Sequence, residues 1–210
     1  MKQDQRLLII QLRDYLHSHQ SEKINLAEVC KALGYQLTDI TRWAPTPDSL
    51  IKQILDFKNL VISEVLDFEK YESESAIDSM VISGQEIYER FGQLSPAKYV
   101  FIAKMNPELY HSYQNQIIDF IEKRLSDNLE KGILNGEYRN DLNKSKIIEK
   151  YIARIKAIHS MDYLKSEHFT FANIFSNIFE DYLQEVATEE NWNYFRKRKQ
   201  FYEAISFANR

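Results

Sequence analysis

The stretch Asn25-Leu26-Ala27-Glu28-Val29-Cys30-Lys31-Ala32-Leu33-Gly34-Tyr35, continued by Ile40-Thr41-Arg42-Trp43-Ala44, decides the fold. Asn25 is an N-cap residue; Leu26, Val29, Cys30 and Leu33 share one helical face; Gly34 stands where a helix needs a left-handed residue to stop. Two helices meeting at a tight turn need a small residue at the contact, a turn residue four positions later, and an apolar wedge. Cys30, Gly34 and the set Val29, Leu33, Ile40 and Trp43 meet these demands within fifteen residues, the spacing of a helix-turn-helix. A plain helical hairpin with no nucleic-acid role satisfies the same constraints.

Outward from this stretch the punctuation stays helical. Thr46-Pro47-Asp48, Ser95-Pro96 and Asn106-Pro107-Glu108 each set a capping side chain before a proline at the first helical position. Asn143 and Thr188 mark two further starts, and Gly132 with Gly136 marks a break. Apolar residues recur at three- and four-residue spacing: Leu8, Leu12, Tyr15 and Leu16; Ile54, Phe57, Val61, Val65 and Phe68; Ile117, Phe120, Ile121, Leu125 and Leu129. With 5 Gly and 4 Pro in 210 residues, the chain lacks the turn residues that a many-stranded sandwich or barrel would use. The pattern predicts an all-α protein of nine or ten helices, with loops at Glu69–Ser75 and Gly136–Asn143.

The formal net charge is −4, unevenly spread. Residues 1–65 hold eight basic and eight acidic side chains, residues 66–190 carry a net −8, and residues 191–210 a net +4 through Arg196-Lys197-Arg198-Lys199. The basic run reads as a solvated helix end, a partner for the acidic body or an aid in steering DNA. One cysteine, Cys30, excludes an internal disulfide and reads as a buried thiol. Leu7-Leu8-Ile9-Ile10 is interrupted at Gln11, so neither a signal peptide nor a membrane span is expected there, and the expected location is cytoplasmic. Glu108 and His111 have the spacing of half a helical di-iron site, but no second Glu-x-x-His exists, and phosphate loops and nucleophile elbows are missing. No metal, no cofactor and no enzyme activity is expected.

The segments Val29–Tyr35, Ile40–Ala44 and Pro47-Asp48-Ser49-Leu50-Ile51 resemble the N-terminal signature of TetR-type transcriptional repressors. The run Leu129–Leu142, with its Gly132-Ile133, Gly136 and Arg139-Asn140-Asp141-Leu142, resembles a segment of their bodies. The resemblance implies a DNA-binding head over residues 1–46, a body over residues 47–210 that binds an effector and dimerises, and release of a double-stranded DNA operator on effector binding. Thr41, Ala44 and Pro47 depart from the family pattern, which removes a phosphate-touching tyrosine, a core aromatic and a lysine. In the head, Gln36, Thr38, Thr41 and Arg42 are expected on the outward face of the second motif helix, suited to base edges and phosphates, with Thr46 adding a phosphate contact. An apolar or amphipathic effector would meet Phe57, Val61, Met80, Ile87, Phe91, Tyr99, Met105, Tyr110, Tyr113 and Phe120, with His111 or the tyrosine hydroxyls as polar anchors. Ile147, Tyr151, Ile155 and Ile158, with Phe171, Ile174, Phe175, Ile178, Phe179 and Tyr182, exceed what one side of a surface helix requires and predict a homodimeric four-helix bundle. The alternative is a helical ligand- or protein-binding dimer that has lost operator recognition.

Overall fold

The computed structural model describes residues 3–19, 23–160, 170, 173–174 and 176–208. Its helices are α1 (Gln3–His19), α2 (Leu26–Leu33), α3 (Leu37–Thr41), α4 (Pro47–Val65), α5 (Ala76–Glu89), α6 (Phe91–Leu94), α7 (Val100–Met105), α8 (Pro107–Leu134), α9 (Lys144–Ile158), α10 (Asp181–Val186) and α11 (Glu189–Ala208). A π-helical turn, Ser176–Glu180, leads directly into α10. No strand occurs among the described residues, and the fold is all-α as expected. No helix among them is long and apolar enough to cross a membrane.

The chain divides into two compact units. The first comprises residues 1–64 and 91–117, the second residues 65–90 and 118–210, a division that does not follow the boundary drawn at residue 46. The reason lies in α1, which packs on α2 but also on α7 and on the 3-10 turn Pro96–Tyr99. Ile9, Leu12, Ile40, Leu50, Ile54 and Tyr99 are buried in this unit, so the N-terminal helices share a core with residues well beyond the motif.

The start and stop signals act as the sequence predicts. Asn25 Oδ1 accepts from the amides of Ala27 and Glu28, and Gly34 closes α2 at φ 75° with its amide directed to Lys31 O. Thr46 and Ser49 cap each other reciprocally at the start of α4, each hydroxyl accepting from the other's amide. Asn143 Oδ1 accepts from the Lys146 amide to start α9.

The second unit is built on α5, the C-terminal part of α8, α9, α10 and α11. Its core holds Ala76, Ile77, Met80, Leu129, Tyr138, Tyr151, Phe179, Tyr182, Val186 and Phe195. Here Gly132 departs from expectation: α8 runs through it to Leu134, and the break comes only at Gly136, φ 73°. Gly132 is instead a contact residue, since a Cβ on it would stand 2.1 Å from Cδ2 of Tyr138. The expected loop 69–75 is also more ordered than predicted, because a 3-10 turn spans Phe68–Tyr71. The basic run is neither wholly solvated nor wholly paired: Arg198 Nε meets Asp78 at 3.2 Å and Lys199 pairs with Glu180, while Arg196 and Lys197 are exposed.

Candidate DNA-reading head and ligand site

The motif at residues 25–44 folds as two helices about a glycine turn. Val29, Cys30, Ile40 and Ala44 are buried, so the small-residue contact and half of the wedge are in place, and burial pushes the Cys30 thiol pKa up. Trp43 is only half-buried, its indole N–H donating to Asp39 O at 2.8 Å, because Ala44 occupies the fully buried position beside it. Leu33 is likewise half-buried.

The second motif helix, α3, is five residues long. Gln36 and Thr38 are exposed at its amino end and Arg42 is exposed at its carboxyl end, so these three present polar atoms to solvent. Thr41 differs from expectation: it is half-buried and its hydroxyl donates to Leu37 O at 3.0 Å, an internal bond that competes with any outward role. Asp39 accepts from the Gln36 amide at 3.1 Å and therefore caps α3. The Thr46 hydroxyl is engaged in the α4 cap while its residue remains exposed.

The residues chosen for an effector pocket fall in both units. In the first, Phe57, Val61, Tyr99, Tyr110 and Tyr113 are buried, Phe91 and Met105 are half-buried, and His111 is exposed, which removes it from the interior. In the second, Met80 is buried, and Ile87 and Phe120 are half-buried. Two hydroxyls are fully committed: Tyr113 donates to Asp56 Oδ1 at 2.6 Å, and Tyr99 donates to Gln93 O at 2.6 Å while accepting from Arg13.

The first unit also buries two cations that sequence reasoning missed. Arg13 is 1 % exposed; it donates to Gln93 O at 2.9 Å, pairs with Asp14 at 2.9 Å and lies 5.5 Å from the centre of the Tyr99 ring. Lys58 is 2 % exposed and lies over the same ring at 4.9 Å, with Gln114 Oε1 accepting from it at 3.2 Å. Burial lowers its pKa to about 8. The signal was available: Lys58 follows Phe57 directly and sits three and four residues from Val61 and Ile54 on a helix whose apolar stripe is plain.

Among the described residues, most of the stripe predicted for a dimer interface is buried within the chain itself. Ile147, Tyr151, Phe179 and Tyr182 are buried in the core of the second unit, Ile155 packs with Ile118 and Ile152, and Ile174 is buried. Ile158 and Ile178 are half-buried; Phe171 and Phe175 lie outside the described residues. The stripe was wide because α9 and α10 pack against several helices of their own chain. Their solvent side is polar, a shallow depression lined by Lys150, Arg154, Asp181, Gln184 and Glu185, with Lys150–Glu185 at 2.6 Å and Arg154–Asp181 at 2.7 Å. No group of metal-binding side chains occurs among the described residues.

No protein family and no curated protein matches the sequence. The fold is similar to a solved structure described as "Molecular basis for control of antibiotic production by a bacterial hormones", with a TM-score of 0.63, 10 % identity, and coverage of 90 % of this chain and 100 % of that one. At that identity the likeness establishes a shared helical architecture over nearly the full length of both chains.

Proposed function

We propose that this chain is a TetR-like, ligand-responsive DNA-binding regulator that acts as a homodimer and has no enzymatic activity. The observation that carries the reading is the capped α2, its left-handed Gly34 and the following α3, in a helical fold that 90 % of this chain shares with a solved structure described as concerning control of antibiotic production by bacterial hormones. In this reading Gln36, Thr38 and Arg42 face a major groove, two heads address half-sites about 34–36 Å apart, Thr46 serves first as a cap, and the Thr41 hydroxyl is turned back onto its own helix. A small molecule bound in the body favours a head spacing that misses the operator. Its leverage is the difference between its affinities for the two arrangements, typically ~1–3 kcal/mol.

A second reading, a ligand-binding module without operator recognition, is favoured by the five-residue α3 and by the balance of eight basic and eight acidic residues in the first 65. Counterion release, the main source of affinity for duplex DNA, is small for such a surface. Selection from random duplexes at low salt separates the two: a regulator enriches a near-palindrome, whereas a module enriches nothing.

A further inference from the structure

Lys58 is a buried charge whose partners do not neutralise it. One of its three N–H groups is satisfied by the neutral Gln114 carboxamide, and the Tyr99 ring face offers a cation–π contact but no counter-charge. No carboxylate lies within ion-pair distance of it among the described residues. Arg13, on the same ring, has Asp14, which Lys98 shares at 3.3 Å. The contrast between the two cations is what calls for an explanation, because an ammonium kept in an apolar setting without a counter-charge is costly.

The neighbouring group points the same way. Gln114 Nε2 donates to the Tyr110 hydroxyl at 3.1 Å, and that hydroxyl has no acceptor for its own proton among the described residues. Gln114 therefore bridges two groups that still have donors to spare: the N–H groups of Lys58 and the O–H of Tyr110. An arrangement with donors to spare and a net positive charge suits an anionic acceptor and rejects a cation. Ile54, Leu55 and Val61, one turn to either side of Lys58 on α4, are buried and apolar, so an acceptor that reaches the ammonium enters apolar surroundings. Gln114 is half-buried, unlike the buried Lys58 and Tyr110 that it joins.

We propose that Lys58 and Tyr110 bind the carboxylate of an apolar acid, and that the Gln114 carboxamide is the neutral stand-in which that carboxylate displaces. The proposal rests on the ligand-binding half of the function above and not on the DNA-binding half. The acid makes one charge-assisted bond to Lys58 and one to Tyr110, neither available to a neutral molecule of the same shape.

The test measures binding of hexanoate, octanoate and decanoate to the full chain by calorimetry, each beside the primary alcohol of equal length, without DNA. At least one acid is expected to bind about tenfold or more tightly than its alcohol. Lys58→Met abolishes that preference and leaves alcohol binding in place. Tyr110→Phe, which keeps the ring, lowers acid affinity several-fold without affecting the alcohol. The proposal is overturned if no acid outbinds its alcohol, or if the preference survives Lys58→Met. Should that variant not fold, survival of full acid affinity in Tyr110→Phe overturns it equally. Failure of operator selection leaves all of these outcomes unchanged, so the two readings fall separately.

Discussion

Gly132→Ala should destabilise the protein although it lies inside a helix, where the same change ordinarily stabilises by about 1 kcal/mol. The added Cβ would stand 2.1, 2.3 and 2.6 Å from Cδ2, Cε2 and Cγ of Tyr138, all in one rigid ring. That ring has no easy retreat. Its hydroxyl donates to Asn128 Oδ1 at 2.9 Å, its edge faces Tyr182 at 6.2 Å between centroids, and its amide donates to Gly132 O at 2.9 Å. Overpacking at the upper end of the usual range costs about 3 kcal/mol, and loss of the buried Tyr138–Asn128 bond adds about 1 kcal/mol. Less the helix-propensity gain, the net is about 3 kcal/mol, or a fall in Tm of roughly 6–12 °C for a chain of this size. Urea unfolding of the four members of a cycle with Tyr138→Ala measures it. With the ring gone, Gly132→Ala should stabilise by about 1 kcal/mol. Equal effects of Gly132→Ala in both backgrounds, or a gain in the wild-type background, would refute the assignment of Gly132 as the seat of Tyr138.

Three further outcomes are expected. Asn25→Ala removes the acceptor for two α2 amides and should cost about 1 kcal/mol by urea unfolding, with the loss appearing in hydrogen exchange of the first α2 turn. Tyr182→Phe should stabilise by about 1 kcal/mol, because that buried hydroxyl has no hydrogen-bond partner among the described residues; a loss of more than about 1 kcal/mol would show the hydroxyl to be engaged. Lys58 makes stability pH-dependent. Its folded pKa, about 8, lies below its ordinary 10.5, so between these values the unfolded chain holds the proton that the folded chain has released. Stability therefore rises with pH across that window, by up to about 3 kcal/mol from this group, and below pH 8 the penalty is present in full. Lys58→Met should remove the rise relative to wild type; identical pH profiles would contradict the buried, unneutralised ammonium.

Element identity was legible wherever a cap and a stripe coincided, as at Asn25, Thr46 and Asn143, because capping is local chemistry. Departures arose where a tertiary partner set the outcome. Gly132 reads as a breaker in sequence, and only the approach of Tyr138 makes it a helical contact. The stripe over residues 147–182 looked too wide for one chain because spacing counts apolar faces and not the number of neighbours that cover them. In the head, the pattern placed Cys30, Gly34 and Ile40 correctly, but the turning-in of Thr41 depends on a side-chain bond to Leu37 O that spacing does not encode. Lys58 was visible beside the apolar positions of α4, yet its lack of a counter-charge is a three-dimensional fact, as is its link to Tyr110 through Gln114.

Whether the α2–α3 head reads DNA is decided by selecting bound sequences from a random duplex pool at low salt with wild-type protein and with Arg42→Ala. A DNA-reading head enriches a near-palindrome whose half-sites are centred about 10–10.5 base pairs, or a multiple of that, apart, and Arg42→Ala binds the enriched duplex more weakly with a shallower salt dependence. A pool that remains random with the wild-type protein, or enrichment that Arg42→Ala leaves untouched in sequence, affinity and salt slope, would contradict it.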